Sequence, residues 1–218
     1  MSCMPPFGAR PETSSGGRAF QPPPLTFPPK RAKIISMIPL RLSAFLLLLA
    51  EAALAGGQVE FTSERIEMNV RGNTLTIHGI YHFTNPNPEP VRVTMLYPFP
   101  VDTAHPFPHA IQVKPIAFRK VKDGITWTVE AGPHAKPTVD VVYFQKCRER
   151  SAKYILTTTQ AWGKALKQAE FIVRVPSSFK EVTLSYTPDS LKDIKGEQVF
   201  YLTKKDFFPE KDFEVRWK

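Results

Sequence analysis

The chain has 218 residues, a formal net charge of +9, and 22 prolines against 11 glycines. Six of its 29 basic residues and two of its 20 acidic ones lie in residues 1–55, so residues 56–218 keep 23 and 18, a net of +5. That mild excess does not demand nucleic acid as a partner, and with Cys147 as the single cysteine beyond residue 55 a disulfide-stapled scaffold is excluded.

Residues 1–36 are rich in Pro, Gly, Ser and Arg and carry no apolar periodicity. Such a composition buries too little surface to offset chain entropy and is expected to be disordered. The simplest account is that translation starts at Met37, with a Pro-rich docking tail as the alternative. Residues 37–55 read as a signal peptide: Arg41, then the apolar run from Leu42 to Ala50, then Ala53-Leu54-Ala55 as the cleavage site. The run is far short of the roughly 20 apolar residues that span a bilayer. The mature chain is therefore expected to be exported, periplasmic or extracellular, with no transmembrane anchor after cleavage.

Residues 56–218 are long enough for one domain with a substantial core. Alternation dominates them. Leu75, Ile77, Tyr81 and Phe83 share one parity, and Val91, Val93, Met95 and Tyr97 form a second run. The turn residues Thr84-Asn85-Pro86-Asn87-Pro88-Glu89-Pro90 between them predict an antiparallel pair around a loop. Further runs follow at 125–129, 139–143, 171–175, 182–186, 199–202 and 213–217. Nine to eleven short strands are expected, with one weak helical stretch around Gln160–Gln168 that Gly163 interrupts. The predicted fold is all-β, a two-layer antiparallel sandwich of immunoglobulin-like appearance.

No catalytic signature stands out. There is no nucleophile elbow and no glycine-rich phosphate loop, and Cys147 has no flanking motif of a catalytic thiol. The chain is thus read as a non-enzyme without a cofactor. Cys147 is expected to be a buried thiol, although Lys146, Arg148 and Arg150 would activate it if exposed. His78 and His82 lie about 13 Å apart along one strand, too far to share a metal ion. His105 and His109, with Asp102 nearby, are an incomplete ligand set, and no metal is expected. Trp127, Trp162, Tyr143 and Tyr154 are candidate contacts for a ligand or partner, as a core or a cleft surface. Tyr97, Phe99 and Phe107 are candidates as an exposed apolar loop.

Phe83-Thr84-Asn85, Pro90-Val91 and Tyr97-Pro98-Phe99-Pro100 together resemble the opening of vault/inter-alpha-trypsin (VIT) domains. The stretches Tyr154–Thr159, Trp162-Gly163, Phe171–Val173 and Phe208–Phe213 are similar to exported bacterial β-sandwich proteins without an assigned activity. These resemblances imply a sandwich and an envelope location, and no catalytic residues. The expectation is an exported envelope interaction or assembly module with a protein or glycan partner. The alternative is a carbohydrate-binding module or sugar-active enzyme built on an aromatic platform.

Overall fold

A computed structural model describes residues 59–218, so the expected disordered arm and signal peptide lie outside the described residues. Thirteen strands occur among them: β1 (Glu60–Arg71), β2 (Thr74–Thr84), β3 (Val91–Pro98), β4 (His109–Lys114), β5 (Phe118–Val121), β6 (Gly124–Ala131), β7 (Thr138–Lys146), β8 (Ser151–Tyr154), β9 (Leu166–Pro176), β10 (Thr183–Leu184), β11 (Ser190–Ile194), β12 (Glu197–Phe207) and β13 (Phe213–Arg216). One sheet has seven strands in the order β11-β12-β9-β1-β2-β7-β4, and two three-stranded sheets run β10-β13-β8 and β3-β6-β5.

Alternation fixes which face of the large sheet is covered. Ile66, Met68 and Val70 on β1 lie in register with Gly79, Ile77 and Leu75 on β2, and on the other side Ile66 and Met68 meet Phe171 and Val173 on β9. All of these side chains are buried. Tyr97 of β3 packs on Tyr81 and Tyr143 of the large sheet, and Phe213 of β13 packs on Phe171 with ring centroids 5.0 Å apart. Both small sheets therefore cover the same face. The result is a two-layer all-β sandwich whose second layer is split.

Several local expectations are corrected. Seven strands in one layer differ from the four and three of an immunoglobulin domain, and the central pair β1–β9 is parallel. β2 and β3 do not pair: β2 lies between β1 and β7, while β3 pairs with β6. The proline-rich loop between them crosses from one layer to the other, because the inward faces of both strands must meet rather than lie side by side. The expected helix at 160–168 is instead a 3₁₀ segment, Thr157–Trp162, closed by Gly163 at φ 66°. β9 begins at Leu166, where Phe171, Val173 and Val175 have a sheet to bury against.

Asn85 secures the crossing. It is fully buried at the end of β2. Its amide donates to the carbonyls of Glu89, Ala131 and Gly132 at 2.8, 3.1 and 2.8 Å. Its Oδ1 accepts from the backbone and side chain of Asn87 at 3.0 and 2.8 Å. An apolar replacement leaves several of these buried groups unsatisfied. Asn85→Ala is expected to cost about 3 kcal/mol, read as a lower denaturant midpoint at an unchanged slope.

Candidate functional site

The least ordinary chemistry lies inside the sandwich. Glu64 follows the inward parity of Ile66, Met68 and Val70, so its carboxyl enters the core and is 3% exposed. Tyr154 of β8 donates to Glu64 Oε2 at 3.2 Å. The Tyr154 hydroxyl lies 3.0 Å from that of Tyr81, which lies 2.8 Å from that of Tyr97. Gly79 makes this possible: a Cβ there would collide with the Tyr81 hydroxyl. Glu64 Oε1 has no partner among the described residues. Burial drives the Glu64 carboxyl up to about 8, against the opposing hydrogen bond from Tyr154. Burial likewise drives Tyr81, Tyr97 and Tyr154 well above the ordinary phenol range.

This network ties down the two walls of a polar cleft. Beyond Tyr97 the chain runs through Phe99 into a loop closed by Asp102. Asp102 Oδ1 accepts from the amides of Ala104 and His105 at 2.9 and 2.7 Å and lies 2.9 Å from His105 Nδ1. The buried His105 ring sets Nε2 3.3 Å from the Ser151 carbonyl, which joins the loop to β8. Gln145, buried on β7, donates to the carbonyls of Pro100 and Pro106 at 3.2 and 3.1 Å and holds the loop from beneath.

The cleft has a volume of about 290 Å³. Its floor is the outer face of β8 and β13, with Ser151 and Lys153 opposite Arg216 and Glu214. Its rim is Asp102, Thr103 and Glu149. Lys153 and Arg216 lie 3.0 and 2.9 Å from the Glu214 carboxylate. Hydrogen bonds from Arg216 and then Lys153 hold Glu214 below the usual carboxylate range. Burial pushes Asp102 upward, but hydrogen bonds from the His105 amide and ring and from the Ala104 amide outweigh it and keep that carboxyl low as well. The cleft thus presents fixed charges of both signs on strands. A second groove of about 250 Å³ on the open face of the large sheet holds His78, Gln112, Lys114, Asp140 and Val142, with His78 Nε2 3.1 Å from Asp140 Oδ2.

Five of the seven candidate contact residues, Tyr97, Phe99, Trp127, Tyr143 and Tyr154, are buried in one aromatic cluster. Their rings face the core, because each sits on an inward position of β3, β6, β7 or β8 or on the loop that β3 leads into. Phe107 is half-buried against Phe99, with the Lys120 ammonium 5.9 Å from its ring centroid. Trp162 is half-buried against Phe61 and Phe83, with centroids 5.8 and 5.9 Å apart, away from the others. Among the described residues no three His, Cys, Asp or Glu side chains converge as a metal site, and His105 turns to Asp102 rather than to His109. The sequence does not single out Glu64 and Gln145, and it marks Asn85 only as a turn residue and as part of the Phe83-Thr84-Asn85 resemblance. The inward parity of Glu64 and Gln145 within apolar alternation was the available signal.

No family model matches the chain, and no curated protein is significantly similar to it. Solved structures do share its shape. A Legionella pneumophila protein with the provisional name of nutrient binding protein is 13% identical, with a TM-score of 0.58 over 74% of this chain and 67% of its own. An M1 zinc metallopeptidase from Deinococcus radiodurans is 13% identical, with a TM-score of 0.46 over 73% of this chain, which spans 43% of the peptidase. The likeness to the Legionella protein shows the fold alone.

The ionisation of Glu64 makes stability depend on pH. In the fold it keeps its proton to about pH 8, whereas an unperturbed glutamate releases it near 4.5. Between those values the unfolded state binds fewer protons, so stability falls as pH rises, by at most about 1.4 kcal/mol per unit. The loss is absent below the lower value and complete above the upper one. The melting temperature is therefore expected to drop between pH 5 and pH 8. Glu64→Gln should flatten that slope and melt higher than the parent at pH 8.

Cys147 is buried, and that burial lifts its thiol to about 11 against a hydrogen bond from the Leu75 backbone. Roughly one thiol in a thousand is ionised at pH 8. Alkylation at that pH is expected to be more than about 100-fold slower in the native protein than in the denatured one, as followed by mass spectrometry.

Proposed function

We propose that the chain is an exported, non-enzymatic β-sandwich that binds another component of the cell envelope through its polar cleft. The observation that carries this reading is the pairing of Lys153, Glu214 and Arg216 on two adjacent strands, faced by Asp102 and Glu149 across a cavity. Charges held on strands lose little freedom when a partner arrives, so they suit recognition of a polar group carrying both signs. The His105 ring lies between Asp102 Oδ1 and the Ser151 carbonyl, a placement that suits fixing the loop to β8. A sugar-binding aromatic platform has less support, since five of the seven candidate aromatics turn inward. A binding role also agrees with the provisional name of the Legionella protein, although that name speaks only of that protein.

The test is photo-cross-linking of the tagged protein in intact cells, comparing the parent with a double variant carrying Glu149→Ala and Arg216→Ala. Both side chains lie at the surface, so the melting temperature should be unchanged. One dominant envelope component captured by the parent, and reduced at least about tenfold in the variant, is expected, a loss matching a few charge-assisted contacts. Equal capture by both proteins would rule out the cleft as the contact surface.

A further inference from the structure

We propose that Glu64 is a proton-controlled latch: neutral, it holds β8 against the large sheet; ionised, it releases β8 and with it the floor of the polar cleft. The geometry starts from where the carboxyl sits. Glu64 on β1, Tyr81 on β2, Tyr97 on β3 and Tyr154 on β8 form one chain of hydrogen bonds that touches all three sheets. The titratable groups that face Glu64 are Tyr154, Tyr81 and Tyr97, with Tyr143 beyond Tyr97. On β9 its register partner is Ala169, and its β1 neighbours Ser63 and Arg65 take the opposite parity. No ion pair reaches it among the described residues, and Oε1 lacks even a hydrogen bond.

A carboxylate in that position is a buried charge with one neutral donor, which is costly unless water reaches it. Water can enter only where an element can lift away. β1 is locked on both sides, by β2 along its whole length and by β9 over Ser63–Asn69. β8 is the opposite case: four residues long, at a sheet edge, and paired to β13 alone. It also supplies Tyr154, the one hydrogen-bond partner of the Glu64 side chain. Short edge strands with few partners open at low free energy. Lifting β8 breaks the contact between His105 Nε2 and the Ser151 carbonyl and removes Ser151, Ala152 and Lys153 from the cleft. Burial places the change near neutral pH, since the Glu64 carboxyl titrates at about 8. The consequence for the cleft rests on the binding role proposed above, whereas the release of β8 does not.

Hydrogen exchange of the full chain between pH 5 and pH 9.5, corrected for base-catalysed intrinsic exchange, tests the latch. Protection of the amides of Ser151–Tyr154 is expected to fall by roughly tenfold or more across that range, while β12 stays protected. Glu64→Gln should abolish the fall. Constant protection of β8, the same fall in Glu64→Gln, or simultaneous loss over β12 would each overturn the latch. If Glu64→Gln does not fold, Tyr154→Phe serves instead. It removes the donor that favours the ionised form, so the midpoint must move to higher pH, and an unmoved midpoint overturns the proposal. Capture of the envelope partner at both pH values separates the two readings. Opening of β8 with undiminished capture rejects the cleft as contact surface and leaves the latch standing.

Discussion

Everything in this sandwich depends on closing a split layer over a continuous one. Seven strands form one sheet, but the covering layer is two sheets of three, and their seam has to be held. The hydrogen-bond chain from Glu64 through Tyr154 and Tyr81 to Tyr97 joins all three sheets at a single point. A network of this kind is demanding, because each buried polar atom costs free energy until it finds a partner. The hydroxyls meet one another, and Gly79 leaves the space the Tyr81 ring needs. The carboxyl keeps one unpartnered oxygen, and the Trp127 indole nitrogen and the Gln145 amide oxygen are likewise unpartnered among the described residues. Apolar packing around the network does the rest. Tyr97 alone touches the rings of Tyr81, Phe99, Trp127 and Tyr143.

Two corners of the sandwich are held by side-chain amides. Asn85 satisfies three backbone carbonyls from two segments at the crossing from β2 to β3. Gln145 does the same for the loop between β3 and β4, meeting two proline-terminated carbonyls. A side-chain amide suits both places because it donates to carbonyls without a desolvated charge. Ionised groups are instead placed on outer faces, as in the Lys153–Glu214–Arg216 ladder, where solvent shares the cost of desolvation. The cleft and the core are therefore two sides of one strand: β8 turns Tyr154 and Ala152 inward and Ser151 and Lys153 outward. Position along four residues decides which side chains hold the fold and which meet a partner.

Much of the architecture was legible in the alternation. The runs at 75–83, 91–97, 125–129, 139–143 and 171–175 all became strands with the expected inward faces. β1 was harder to read. A register shift between Phe61 and Ser63 puts Phe61 out of step with Ile66, Met68 and Val70, and Glu64 looks like a solvated residue until its parity is traced. β4, β5, β8 and β11 are too short or too polar to show a period of two. The aromatic residues were visible as a group, yet their identity does not say whether a ring faces ligand or core. Pairing partners settle that.

By itself the sequence determined the class of fold, because a period of two in apolar residues can be satisfied only by strands that bury one face. It also determined that the described residues carry no disulfide, since Cys147 is the single cysteine among them. Tertiary structure alone decided which strands are neighbours, including the parallel contact of β1 with β9 across about a hundred residues of chain. It decided that His105 meets Ser151, that Glu214 lies between Lys153 and Arg216, and that Glu64 meets Tyr154 and through it Tyr81 and Tyr97. The reason is range: alternation is a property of neighbouring residues, whereas a site is assembled from residues whose separation along the chain carries no information about their distance in space.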